Sequence, residues 1–324
     1  MLRIYTRNNT QLVICPDLES CQSPVWLDLI SPTNDEVKQV QALLGITIPT
    51  RAEMEEIELS ARLYAEDGAT FMTMTALAHL DTEAPIKTPI TFVVKGMTLV
   101  TVRYAEPKPF LAYVSRAQRP NGPPHKSGEH VMLGLIEAMI DRTADALERI
   151  ANETDEISRT AFRKVKVKAN KKTRDLENLI TQIGHQAELL TMVQESLVSI
   201  SRLVAYYSAT QDASDDHDGV RYLIRLIQRD ATALGEHSRA LSARLDFLLS
   251  ATLGLINLEQ NQIIKIFSVA AVVFLPPTLV ASVYGMNFVH MPELQWLLGY
   301  PWALGLMALS AALPFLYFKR KGWL

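Results

Sequence analysis

Ile266-Phe267-Ser268-Val269-Ala270-Ala271-Val272-Val273-Phe274-Leu275-Pro276-Pro277-Thr278-Leu279-Val280-Ala281-Ser282-Val283 runs for eighteen residues without a charge, and Tyr284-Gly285-Met286-Asn287-Phe288 closes it. A helix rising about 1.5 Å per residue crosses an apolar layer of about 30 Å in roughly 20 residues, so the run can span a bilayer core. A second uncharged run, Leu294 to Phe318, is twenty-five residues long. Trp296, Tyr300, Trp302 and Tyr317 stand towards its edges, where amphipathic rings suit a membrane boundary. A buried core helix would account for one such run; two, so closely joined, point to a pair of transmembrane helices. Lys265 precedes the first run, Lys319-Arg320-Lys321 follows the second, and no Lys or Arg lies between. Basic residues stay inside, so the expectation is a multi-pass protein of the inner (cytoplasmic) membrane, embedded in the lipid bilayer with both termini cytosolic.

Outside that region the chain is of another kind. Of 324 residues 48% are hydrophobic and 21% charged, yet from Ile266 to Phe318 the only formal charge is Glu293. The net charge of −3 gives no reason to expect nucleic acid as a partner. The two cysteines, Cys15 and Cys21, are too few for a disulfide framework or a zinc knuckle and read as reduced and structural. Met1-Leu2-Arg3-Ile4-Tyr5 lacks an apolar stretch of signal-peptide length, which leaves the upstream part cytosolic. No phosphate-binding loop, Ser/His/Asp arrangement or metalloprotease helix motif is present, so neither an enzyme nor a cofactor is expected.

From Leu2 to Arg103 short apolar stretches alternate with turn residues, as in Val25-Trp26-Leu27-Asp28-Leu29 before Ser31-Pro32. Ile90–Val94 and Met97–Val102, joined at Lys95-Gly96, read as a β-hairpin, and Ser31-Pro32-Thr33-Asn34-Asp35-Glu36 as a capped helix start. A mixed α/β domain over 1–127 follows. Apolar residues then recur at helical spacing from Met132 to Ile157 and from Leu176 to Val204, predicting a long helical hairpin over 128–217. The hairpin's basic break, Arg163 to Arg174, holds seven Lys and Arg and reads either as a solvated tip or as a patch for anionic lipid. Asp212 to Gly219 reads as a helix N-terminus or as an oxygen-rich cation loop. From Val220 a third helical pattern meets no proline before Pro276, on the order of 95 Å if continuous to Val283. Residues 218–262 would form a cytosolic stalk, 263–288 the first span, 289–294 an outer loop, 295–318 the second span and 319–324 a basic tail.

Steps of three and four from Asn261 give Ile264, Ser268, Ala271, Leu275, Thr278 and Ser282, a stripe of small, hydroxyl and aliphatic side chains. Small residues let membrane helices approach one another; the same stripe repeated around a ring of subunits would line a narrow channel. Two helices per chain enclose little, so a channel requires an oligomer. Pro276-Pro277 removes two backbone donors and frees carbonyls one turn earlier, which favours a wet face.

Tyr284-Gly285-Met286-Asn287, with Leu255 to Asn261, Lys265 to Ser268, Phe274 to Ser282, Met291-Pro292-Glu293-Leu294 and Tyr317 to Leu324, resembles the CorA family of divalent-cation channels, marked by a Gly-Met-Asn signature at the outer end of the first of two spans. The resemblance implies an α+β membrane protein: an N-terminal cytosolic α/β domain, a long helical hairpin, a stalk helix and two transmembrane helices per subunit in a funnel-shaped homopentamer. It implies transport of Mg²⁺, with Co²⁺ and Ni²⁺ as surrogates, driven by the membrane potential at about 4.6 kcal/mol per 100 mV for a divalent ion. Tyr284, Gly285, Met286 and Asn287 would form the selectivity filter, Asn261 an inner polar ring, Thr278 a pore station and Leu275 a constriction, with Glu293 attracting cations outside. Neutral oxygens suit an ion that gives up its water reluctantly. On the residues alone Gly285 and Asn287 also fit a left-handed helix terminator. The chain departs from the family at Ser250 and Leu226, where acidic residues occur in some members, which leaves Asp230, Glu236 and Asp246 as nearby candidates for regulatory metal. A Zn²⁺ transporter of the same superfamily and a non-conducting membrane-anchored regulator are the alternatives.

Overall fold

A computed structural model describes residues 1–9, 11–21, 23–82, 84–119, 126–163, 169–210, 218–287 and 291–323, without the side chains of 169–174, 218, 293 and 294. Most of the basic break, the acidic run ahead of Val220 and outer-loop residues 289 and 290 therefore lie outside the described residues, as does the side chain of Glu293.

The chain divides into two compact units: Met1–Phe162 with Thr181–Leu248, and Arg163–Ile180 with Leu249–Leu324. The first is built on a sheet of β1 (Leu2–Asn8), β2 (Gln11–Cys15), β3 (Pro24–Ile30), β4 (Leu63–Glu66), β5 (Ala69–Ala78), β6 (Ile86–Lys95) and β7 (Thr98–Arg103), in the order β2-β1-β3-β7-β6-β5-β4. Only β3 and β7 pair in parallel, Trp26 opposite Leu99 and Ile30 opposite Arg103. The β6–β7 hairpin turns at Lys95-Gly96-Met97, with Gly96 at φ +56° supplying the left-handed residue.

Both sheet faces are covered, which is why the central strands read as nearly continuous apolar runs. On one face α1 (Asn34–Leu44), α2 (Arg51–Glu55) and the segment between them pack Val40, Ile46, Ile48 and Met54 over Leu27, Phe71, Val93 and Val100. α1 begins at Thr33 with a reciprocal capping box to Glu36, as its sequence signals. On the other face α4 (Lys108–Ala117), α5 (Gly128–Phe162), α6 (Ala169–Thr210) and the start of α7 (Asp218–Tyr284) converge on Trp26, Met74, Phe92 and Leu99 through Phe110, Tyr113, Met132, Ile136, Leu203 and Ile227. α5 enters at the strand itself: Gly128 donates to the Met97 carbonyl at 2.7 Å, and a Cβ there would sit 2.3 Å from the Leu99 amide nitrogen. The thiols of Cys15 and Cys21 are free and only 2.7 Å apart, a proximity hidden in a spacing of six residues.

α7 is one helix of 67 residues, continuing through Pro276 and Pro277. In the second unit it is followed by a 3₁₀ turn, Pro292–Gln295, and by α8, Gly299–Arg320. The second apolar helix thus starts later than the predicted 295 and runs past 318. Pro292 opens a tighter turn, and Leu298 at φ −103°, ψ 9° stands at the N-terminus of α8.

Candidate functional site

The apolar ends of α7 and α8 are long enough to cross a membrane, and both are almost wholly exposed in the isolated chain. At 3.6 residues per turn, Val269, Val273, Pro276, Val280 and Tyr284 share one side of α7. Val269 is only 3% exposed and the other four are half-buried. This side faces α8: Lys265 lies 5.8 Å from the ring centre of Trp323, and Tyr284 and Gly285 share a cavity of about 410 Å³ with Trp296, Tyr300, Ala303 and Met307. Asn261, Ile264, Ser268, Ala271, Leu275, Thr278 and Ser282 lie roughly half a turn away by the same periodicity, and every one is exposed. One side of the helix, Val269 to Tyr284, thus packs within the chain, while the stripe from Asn261 to Ser282 stays exposed together with Phe267, Phe274 and Leu279.

Pro276 and Pro277 leave the carbonyls of Val272 and Val273 without their usual helical donors. Thr278 turns its hydroxyl back, Oγ1 donating to the Phe274 carbonyl at 2.7 Å. Such a hydroxyl stays within its own helix while its oxygen can still accept from water.

The helix ends at Tyr284. Gly285 N donates to the Ala281 carbonyl at 2.9 Å and Met286 N to the Val283 carbonyl at 3.3 Å, a tightened last turn. Neither Gly285 nor Asn287 has a positive φ, so the left-handed terminator reading is corrected. A Cβ on Gly285 would lie 3.0 Å from the Ala281 carbonyl oxygen that its own amide bonds, a tight approach that the absent side chain relieves. Gly285, Met286 and Asn287 are exposed, and Tyr284 is half-buried on the α8 side. Glu293 falls in the 3₁₀ turn, seven positions after Met286.

Asp230, Glu236 and Asp246 all lie on α7 within the first unit but do not come together with other ligands: among the described residues no group of three or more His, Cys, Asp or Glu could hold a metal ion. Asp230 lies beside Arg229 at 3.3 Å and is close enough to Asp141 on α5 to act on it. The Asp141 carboxyl is held above the ordinary range chiefly by burial, with the charges of Asp145 and Asp230 adding to it against Arg116. The charge of Asp230 bears on Asp141 only once α5 and α7 pack, which no spacing along the chain registers.

The family CorA-like Mg²⁺ transporter protein matches residues 22–320. The magnesium transport protein CorA of Pectobacterium atrosepticum is 35% identical over 327 residues, covering 100% of both chains, and that of Salmonella typhimurium is 36% identical over 312 residues, covering 95% of each. Among solved structures, the CorA magnesium transporter from Methanocaldococcus jannaschii superposes with a TM-score of 0.79 at 16% identity, covering 100% of this chain and 98% of the other, a likeness of fold. The resemblance drawn from the last seventy residues thus extends over the whole length.

Proposed function

The chain belongs to the family of CorA-like Mg²⁺ transporter proteins, a transporter rather than an enzyme, and from that premise we propose that it carries Mg²⁺ into the cell down the inside-negative potential, through a pore lined by the exposed side of α7 in a homopentamer. The observation that carries the reading is the division of α7 between a side that packs on α8 and a stripe, Asn261 to Ser282, left open for neighbouring copies around an axis. Five such stripes present alternating hydroxyl or amide rings and aliphatic constrictions, with Leu275 the narrow station and Asn261 the inner polar ring. At the outer end, Tyr284, Gly285, Met286 and Asn287 form the filter. Its neutral carbonyl and amide oxygens hold a hydrated Mg²⁺ through its water shell, which costs less than stripping an ion that dehydrates reluctantly. Glu293 draws cations towards the mouth. Co²⁺ and Ni²⁺, of similar size and hydration, follow the same path.

In this reading both termini are cytosolic, the bilayer is that of the inner membrane, 1–127 is the α/β domain, 128–217 the hairpin and 218–262 the stalk. Asp230, Glu236 and Asp246 are the candidates through which internal Mg²⁺ would act. Channel currents unchanged by millimolar internal Mg²⁺ would dismiss that role.

The test is uptake into proteoliposomes. Wild-type chain should accumulate Mg²⁺ when a potassium diffusion potential is set inside-negative, and Asn287→Ala should abolish most of that flux while leaving the oligomer intact. Zn²⁺ flux without Mg²⁺ flux would reassign the cargo; no divalent flux at all would overturn transport.

A further inference from the structure

Within the first unit, α3 (Leu59–Arg62), β5, β6 and α6 surround an open cavity of about 530 Å³ that the proposed ion path does not use. Its walls are cross-tied. Arg62 Nη1 donates to Thr75 Oγ1 on β5 at 3.2 Å, and Arg62 Nε to the Glu56 carbonyl at 2.6 Å. The Thr75 amide donates to Ser199 Oγ on α6 at 2.9 Å, and Lys87 Nζ on β6 reaches Glu195 Oε2 on α6 at 2.6 Å. On α6, Glu195, Ser199 and Arg202 are spaced four and three apart, so they come to one side of the helix and line the cavity together.

The charges on this wall do not cancel. Glu195 is engaged by Lys87, and Glu55 by Arg51 at 2.8 Å. Arg62 meets neutral acceptors only, and neither it nor the exposed Arg202 has a carboxylate partner among the described residues. Two permanently charged guanidinium groups thus border one concavity, beside the hydroxyls of Thr73 and Thr88, with Ile57 and Leu59 exposed on the same wall. A guanidinium offers a planar fork of donors that matches phosphoryl oxygens, and a cavity of a few hundred Å³ with apolar walls and a few polar groups is the form of a small-molecule site.

We propose that this cavity binds a phosphate-bearing small molecule of nucleotide size, its phosphoryl groups held by Arg62 and Arg202 and its organic part against Ile57 and Leu59. Occupancy would bridge α3 to α6 across the edge of the sheet.

The full-length chain in detergent is titrated calorimetrically with inorganic phosphate, ADP and ATP in a Mg²⁺-free, chelator-containing buffer, which removes metal capture from the signal. Saturable nucleotide binding is expected, with inorganic phosphate competing weakly. Arg202→Gln should weaken it about tenfold or more, the loss of a charge-assisted contact, and Arg202→Lys should restore part of it. Arg202 makes no tie within the wall, so its variants should unfold at the wild-type temperature, whereas Arg62→Gln also removes the Thr75 bond. No binding of any of the three probes overturns the proposal, as does an affinity unchanged in Arg202→Gln. Phosphate binding as tightly as the nucleotides overturns the nucleotide-sized occupant. Binding is read directly, so this result and the transport result stand or fall separately.

Discussion

Arg103 and Asp28 stand seventy-five residues apart and meet fully buried in the parallel β3–β7 pair, both 1% exposed. Arg103 donates Nε to Asp28 Oδ1 at 3.0 Å and Nη2 to Oδ2 at 2.8 Å, while Nη1 reaches the Ala105 carbonyl at 2.9 Å. Thr101 Oγ1 donates to the same carboxylate at 2.8 Å and accepts from Trp26 Nε1 at 2.9 Å. Every polar group of the pair is answered, the condition under which a buried ion pair is tolerated. Arg103→Met strands Asp28 and should cost about 3–5 kcal/mol, read as a lowered midpoint of thermal or urea unfolding, while Asp28→Asn combined with Arg103→Met should cost less than the two single changes together. Cys15 makes a second test. Burial first, then the hydrogen bond with Cys21, pushes its thiol up from 9.0 to about 11. The folded protein holds that proton more tightly than the unfolded chain, so the stability this contributes is complete below pH 9 and declines as pH rises towards 11. Alkylation of Cys15 in the folded chain should be slow at pH 8 and rise about tenfold per pH unit up to that value; fast labelling at neutral pH would contradict it. At the motif, residue types suggested Gly285 and Asn287, whereas the tightened last turn, Met286 N donating to the Val283 carbonyl, forms only once α7 ends at Tyr284.

Among the elements, α7 was legible along most of its length, whereas α8 was found with its start misplaced and α4 was not read at all. An apolar pattern without proline from Val220 to Leu275 can only be a helix, and it continues through Pro276-Pro277 to Tyr284. The start of α8 could not be read, because apolar residues fill Leu294 to Leu298 as densely as the helix itself and hydropathy does not register the 3₁₀ turn at Pro292–Gln295. The two sides of α7 supply the next test. In a chain lacking Cys15 and Cys21, Ser268→Cys and Thr278→Cys in the reconstituted oligomer should react with a membrane-impermeant thiol reagent, and prior labelling should block Mg²⁺ flux. Val269→Cys, on the α8 side, should stay unlabelled. Equal labelling at all three positions would remove the assignment of the stripe to the pore.

For the assembly, the proposed pore implies that no isolated chain conducts. The protein extracted in mild detergent should have the native mass of five protomers, and Mg²⁺ uptake should rise steeply as the potential is made more inside-negative, since each ion gains about 4.6 kcal/mol per 100 mV. A monomeric or dimeric species that retains flux would contradict the pentameric pore. Local chemistry carried much of the architecture: eighteen uncharged residues before Tyr284, the Lys95-Gly96 turn, the Thr33–Glu36 capping box and the helical repeats each act over a few residues and are written in order along the chain. Packing had to supply the rest. The parallel pairing of β3 with β7, the Asp28–Arg103 bond, the charge of Asp230 bearing on Asp141 and the meeting of Arg62 with Arg202 around one cavity join residues many positions apart. Such meetings depend on how elements stack to bury their apolar faces, a free energy shared among all the elements and encoded in no single stretch.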